Sequence, residues 1–112
     1  MHTLPLIKYQ ESRGNPKPKD GTHGEVGVYQ IRQCVVDDVN QKYGTQYTLA
    51  DCRDEEKAET IAINYLYMWG EKKGAKTIEE LCRIFNGGPN GNKVKATVTY
   101  WKDIAQRNGL KV

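Results

Sequence analysis

Three short segments of the chain combine residue types able to do chemistry. Glu11 is the first. Leu4 and Ile7 precede it at helical spacing and Gly14-Asn15-Pro16 follows, so it falls in the last turn of a short helix. There it faces the negative end of the helix dipole and unsatisfied carbonyls, which favour the protonated carboxyl. If its surroundings also exclude water, desolvation acts in the same direction and poises the group as a general acid near neutral pH. By position alone an ordinary exposed glutamate is the simpler reading. The second segment is Gly24-Glu25-Val26-Gly27-Val28-Tyr29-Gln30-Ile31. Its glycines let a ligand approach the backbone, Gln30 can donate and accept hydrogen bonds, and Tyr29 can stack on a sugar face. Taken singly it is a glycine turn feeding a helix. The third, Phe85-Asn86-Gly87-Gly88-Pro89, presents an amide and exposed backbone groups after a helix, which a helix C-cap alone would explain.

The elements that must position these groups are legible as helical periodicities. The first helix uses Thr3 as cap, Pro5 in its first turn, and Leu4, Ile7 and Leu6 on its apolar side. Residues 14–27 contain Gly14, Pro16, Pro18, Gly21, Gly24 and Gly27, which excludes a regular helix and predicts an irregular loop or small hairpin. Val28, Ile31, Val35 and Val39 predict a helix from Val28 to a stop at Gly44. Asp54-Glu55-Glu56 opens the strongest helix, with Ala58, Ile61, Ala62, Tyr65, Leu66 and Trp69 on one face. Thr77 and Glu80 form a capping box ahead of Ile78, Leu81, Cys82 and Phe85. A last helix from Ala96 to Asn108 turns Val98, Trp101, Ile104 and Ala105 inward. The expectation is a mostly α, single-domain fold spanning residues 1–112, with about five helices.

In order and approximate spacing, Glu11-Ser12-Arg13-Gly14-Asn15, Gly27-Val28-Tyr29-Gln30 and Phe85-Asn86-Gly87-Gly88 resemble the E-S-x-G-N, G-L-M-Q and A-Y-N-x-G segments of lytic transglycosylases with the soluble-lytic-transglycosylase domain. Thr48-Leu49-Ala50-Asp51 and Tyr65-Leu66 extend the resemblance to small phage-type members, so it covers most of the chain. The resemblance implies a lysozyme-like fold and the cleavage of peptidoglycan glycan strands. It makes Glu11 the catalytic acid/base, with Ser12 hydrogen-bonding near it. Gln30 and Asn86 would contact substrate acetamido or hydroxyl groups, and Tyr29, Phe85, Gly87 and Tyr100 would complete the substrate-binding surface. Two positions depart from the family pattern. Phe85 stands where a tyrosine hydroxyl usually positions the catalytic glutamate, leaving that role to another residue such as Tyr65 or Tyr100. Val28-Tyr29 replace the usual Leu-Met.

The implied chemistry uses one carboxyl group twice. Glu11 protonates the glycosidic oxygen beside N-acetylmuramic acid, the substrate acetamido group stabilises the cationic carbon, and Glu11 then takes the proton of the C6 hydroxyl, giving a 1,6-anhydro end. Hydrolysis would instead need a second carboxylate, about 5–5.5 Å away for retention or about 6.5–9.5 Å for inversion. Glu25 and Asp20, on the glycine-rich loop, are the residues available to a goose-type-lysozyme-like alternative, with Asp37 and Asp38 further candidates. A lysozyme-like module that only binds glycan or protein, with Glu11 idle, is the non-enzymatic alternative.

Composition sets the remaining expectations. A net charge of +3 with dispersed basic residues argues against a nucleic-acid partner and mildly favours anionic wall polymers. The apolar runs are too short to insert in a membrane. The N-terminus lacks the pattern of a signal peptide, so action at the cell wall, periplasmic or extracellular, would need phage lysis, a secretion apparatus or prior processing. Three cysteines without CxxC spacing and only His2 and His23 predict neither a disulfide framework nor a metal site, and the cysteines are expected in or near the core. No cofactor is expected, and a monomer is.

Overall fold

The architecture begins with a ten-residue helix, α1 (Thr3–Ser12), in the computed structural model, which describes residues 2–111. Leu4 and Ile7 are buried as their spacing requires. The helix stops where Arg13 and Gly14 turn left-handed (φ 54° and 80°), the Arg13 amide closing on the Tyr9 carbonyl at 2.9 Å. Thr3 is itself helical and buried, so the cap position falls to His2, without a side-chain bond.

The glycine-rich stretch is irregular and ends in one miniature hairpin. Val26 and Ile31 exchange both backbone hydrogen bonds (3.0 and 2.9 Å), and the Gln30 amide closes the turn on Gly27 at 2.9 Å. Gly27 and Gln30 both have positive φ (81° and 49°), incompatible with a helix there. The second helix, α2 (Gln33–Tyr43), therefore starts five residues later than Val28, the start that the periodicity predicts. Val28 and Ile31 keep the expected burial for another reason: the hairpin delivers them to the same core that receives Val35, Val36 and Val39.

A short 3-10 turn, Leu49–Arg53, follows, closed by a capping box in which Thr48 and Asp51 each bond the other's amide. Next comes the 19-residue α3 (Glu55–Lys73), capped by Asp54, whose carboxylate accepts the Lys57 amide at 3.0 Å. Ala58, Ile61, Ala62, Tyr65 and Leu66 make its buried stripe, and α2 and α4 (Ile78–Gly87) pack on it. Trp69, at the edge of that stripe, is only partly buried and its indole N–H donates to Asp38 at 3.1 Å.

Thr77 caps α4 through the Glu80 amide (3.1 Å), while the Glu80 carboxylate reaches the Lys76 amide (3.2 Å). A second 3-10 turn, Gly91–Lys93, leads to α5 (Thr97–Arg107). Buried Thr97 ties this corner together. Its hydroxyl lies 2.7 Å from both the Gly91 and Val94 carbonyls and accepts from Arg83 Nε at 2.8 Å, so α4 and α5 share one polar clip. Gly87 is needed here, because a Cβ would press on the Thr97 methyl.

Among the described residues there are five α-helices and no β-strand, so the chain is a mostly α single domain. Its radius of gyration of 13.1 Å matches about 13 Å for one globule of this length. No described helix is long and apolar enough to cross a membrane. Of the cysteines, Cys52 and Cys82 are core residues with thiols pushed up by burial to about 11 and about 12, whereas Cys34 is exposed in the first turn of α2, contrary to the expectation for all three.

Gly27 supplies a direct test of the hairpin. It needs φ 81°, and a Cβ there would collide with the Cys52 backbone carbonyl, which cannot swing aside as a side chain would. Gly27→Ala should therefore lower the melting temperature far more than Gly14→Ala, which meets open space and pays only for positive φ, about 1 kcal/mol. Equal melting temperatures for the two variants would show that the hairpin does not press on Cys52.

Candidate functional site

The C-terminal turn of α1, the Val26–Ile31 hairpin and the C-terminal turn of α4 meet around an open cleft of about 350 Å³. Glu11 stands on one wall, Glu25 and Gln30 on the loop side, and Phe85 and Asn86 on the α4 side. Three segments separated by up to 75 positions in the chain (11 to 86) thus converge.

Glu11 reaches the cleft from a largely desolvated position. Burial raises its pKa above the usual 4.5, opposed first by a hydrogen bond from Tyr100 and then by the charges of Arg32 and Arg13; the Glu25 charge adds to the rise. The Tyr100 hydroxyl donates to Glu11 Oε2 at 2.6 Å. Of the two tyrosines able to replace the hydroxyl missing at Phe85, Tyr100 is thus the one that touches the carboxyl, while Tyr65 is a fully buried residue of the α3 core. Burial and the adjoining Glu11 carboxyl also hold the Tyr100 phenol well above its ordinary value. The phenol stays a donor at any working pH.

Gln30 enters the cleft from the hairpin turn rather than from a helix start. Its side-chain nitrogen donates to the Gly27 carbonyl (2.9 Å) and the Lys19 carbonyl (3.2 Å), which occupies both amide hydrogens. Only its Oε1 remains for a ligand. Glu25 sits beside it, and its Oε1 accepts the His23 amide at 2.8 Å. Carboxylate and amide both crowd Gly21, where a Cβ would overlap the Glu25 side chain.

The other expected site residues are placed differently. Tyr29 is 3% exposed, its phenol is pushed up to about 12 by burial, and it faces Leu4, Lys8 and Ile63 on the far side of α1. It cannot stack on a sugar in this cleft. The Ser12 hydroxyl bonds the Lys8 carbonyl of its own helix at 3.0 Å instead of Glu11. Phe85 is a core residue, 4% exposed, whose carbonyl accepts from Arg32. Asn86 is exposed at the rim, and Gly87 acts on Thr97. Asp20 is held by Arg53 in a two-pronged pair (2.8 and 3.0 Å), which keeps its carboxyl below the usual range, and it does not line the cleft. Asp38 serves Trp69, and Asp37 accepts from Gln33 at 2.8 Å; neither lines the cleft.

Arg32 is the residue that sequence reasoning missed. It lines the cleft and donates to the Phe85 carbonyl at 3.0 Å, clamping the hairpin to the end of α4. A helix beginning at Val28 would separate Gln30 and Arg32 by about 200°. The turn at Gln30 and the extended backbone at Arg32 instead bring both to the cleft. His23, also on the cleft, was missed because nothing local distinguishes it from a loop histidine.

No family model matches the chain, and no curated protein matches it in sequence.

Two outcomes follow from the electrostatics of Glu11. Its folded pKa lies above the unfolded one, so its contribution to stability is complete below the unfolded value and is lost as pH rises through the folded value. Glu11→Gln removes that loss and should melt above wild type near pH 7, with the gap closing toward pH 4. Tyr100→Phe should move the Glu11 carboxyl further up when followed by carboxyl-carbon NMR, because the lost bond favours the ionised form. An unchanged titration would mean that the phenol does not bear on the acid.

Proposed function

We propose that this protein cleaves the β-1,4 bond between N-acetylmuramic acid and N-acetylglucosamine in peptidoglycan glycan strands, with Glu11 as general acid and then base. The observation behind this reading is the half-buried Glu11 carboxyl, its pKa raised, held by Tyr100 at 2.6 Å on the wall of a cleft that also presents Gln30 and Asn86. The motif resemblance agrees with it residue by residue at Glu11, Gln30 and Asn86. A carboxyl whose pKa is raised by burial holds a proton ready for a glycosidic oxygen more often than an exposed one does at the same pH, and once ionised it is stabilised by the donor Tyr100. Since Oε2 is engaged by the phenol, Oε1 is the atom free to face the substrate. Gln30, with only Oε1 available, would accept from an acetamido N–H or a sugar hydroxyl.

In the non-hydrolytic route the departing proton comes from Glu11, the substrate acetamido group stabilises the cationic carbon, and the C6 hydroxyl closes on that carbon as Glu11 recovers a proton. One carboxyl suffices. A hydrolytic reading is favoured by one feature: Glu25 lines the same cleft, close enough for its charge to raise the Glu11 pKa. Asp20, tied to Arg53, is the weaker choice for that role. Action on the cell wall follows from this reading.

Glu11→Gln should lower turnover of purified peptidoglycan about 10²–10⁴-fold while the protein stays folded. Wild-type digests should contain muropeptides ending in 1,6-anhydro-N-acetylmuramic acid, one water lighter by mass spectrometry than hydrolysed ends. Reducing ends that vanish in Glu25→Gln would convert the assignment to a lysozyme. A wild-type protein that clears nothing would leave only a binding module.

Asn86→Ala should raise KM several-fold at nearly constant melting temperature, since its exposed amide is at the rim rather than in the cap made by Gly88. Unchanged kinetics with a lower melting temperature would make Asn86 a purely structural residue.

A further inference from the structure

Arg32 is held in place by a backbone carbonyl rather than by an ion pair. One guanidinium nitrogen donates to the Phe85 carbonyl at 3.0 Å, a backbone acceptor at the negative end of α4. No ion pair among the described residues includes it: the four present join Lys8 to Glu55, Arg53 to Asp20, Lys57 to Asp51 and Arg83 to Glu79. Yet Arg32 lines the cleft with two carboxyl side chains, Glu11 and Glu25. Glu25 instead takes the His23 amide, and Glu11 takes the Tyr100 phenol. A half-buried guanidinium has five N–H donors in a fixed fork that fits a carboxylate two-pronged, and here most of that fork is unused. Arg32 acts on Glu11 through charge, but neither wall carboxylate forms an ion pair with it: Glu11 Oε2 takes the Tyr100 phenol and Glu25 Oε1 takes the His23 amide.

We infer that Arg32 is a specificity-determining residue that receives a carboxylate of the substrate beside Glu11. The inference rests on the proposed glycan-strand substrate and narrows it to anionic strands. Two substrate carboxylates have this chemistry. One is the lactyl group of N-acetylmuramic acid, free where the stem peptide has been removed. The other belongs to the stem peptide itself, whose attachment turns the lactyl group into an amide. Because the Phe85 bond fixes the guanidinium relative to both α4 and the hairpin, a bound carboxylate would place the sugar in register with Glu11, Gln30 and Asn86 together.

The test is calorimetric binding of short glycan strands to Glu11→Gln protein, which does not consume them. Three forms are compared: strands with stem peptides, peptide-free strands with free lactyl carboxylates, and peptide-free strands whose carboxylates have been converted to neutral methylamides. At least one charged form should bind about 10- to 100-fold more tightly than the neutral one, the range expected of a charge-assisted hydrogen bond. The form preferred identifies the carboxylate. Adding Arg32→Gln should erase the preference, and Arg32→Lys should keep part of it, since a point charge lacks the fork. A preference that survives Arg32→Gln overturns the inference. So does equal weakening of all three forms, the signature of a residue that merely clamps Phe85, and so does absence of binding to both charged forms. If wild-type protein binds with this preference but leaves strands uncut, the cleavage reading falls and the role of Arg32 stands.

Discussion

The hydrogen bond between Tyr100 and Glu11 joins the last helix to the first across 89 positions, and the site has its character because of it. A half-buried carboxyl such as Glu11 would otherwise lose water without an internal partner, which is costly. The phenol favours the ionised form while burial favours the protonated one. An acid that must release and regain a proton needs both influences, and neither is supplied by α1 alone. The contact in turn depends on where α5 lies. That is set by the Arg83–Thr97 clip, by Gly87 admitting the Thr97 methyl, and by Trp101, Ile104 and Ala105 packing inward.

The opposite wall is built by a less regular device. Gly27 tucks under the Cys52 carbonyl and takes a left-handed conformation, and three residues later Gln30 does the same at φ 49° without being glycine. Positive φ at such a residue stores strain, held here because the Gln30 side chain spends both amide hydrogens on carbonyls of its own loop. The loop is further tied by Asp20 to Arg53 and by Val28 and Tyr29, which bury their side chains at the hairpin tip. The wall is therefore rigid where it meets the cleft. Gln30 becomes a fixed acceptor rather than an adaptable amide.

Much of this was legible in advance because it follows from local chemistry. The stripe from Ala58 to Leu66, the caps at Asp54 and Thr77, and the stop after Glu11 each depend on residues within a turn or two of one another. The departures at Tyr29, Gln30 and Arg32 share one cause. Val28, Ile31, Val35 and Val39 satisfy a helical period, yet the first two belong to a hairpin, and burial alone does not distinguish the two geometries. That single substitution of one backbone shape for another moved Tyr29 from a ligand face into the core and concealed Arg32.

By itself the sequence determined that the chain is mostly helical, where most helices begin and end, and which acid falls at a helix C-terminus. Periodicity, capping and glycine placement act over a few residues and are written locally. Which hydroxyl reaches Glu11, which carboxylate shares its cleft, which glutamine hydrogens are already spent and which arginine is left unpaired were decided by the tertiary structure alone. Each depends on distances between segments many turns apart, and hydrogen bonds and desolvation change over fractions of an ångström that residue spacing does not record.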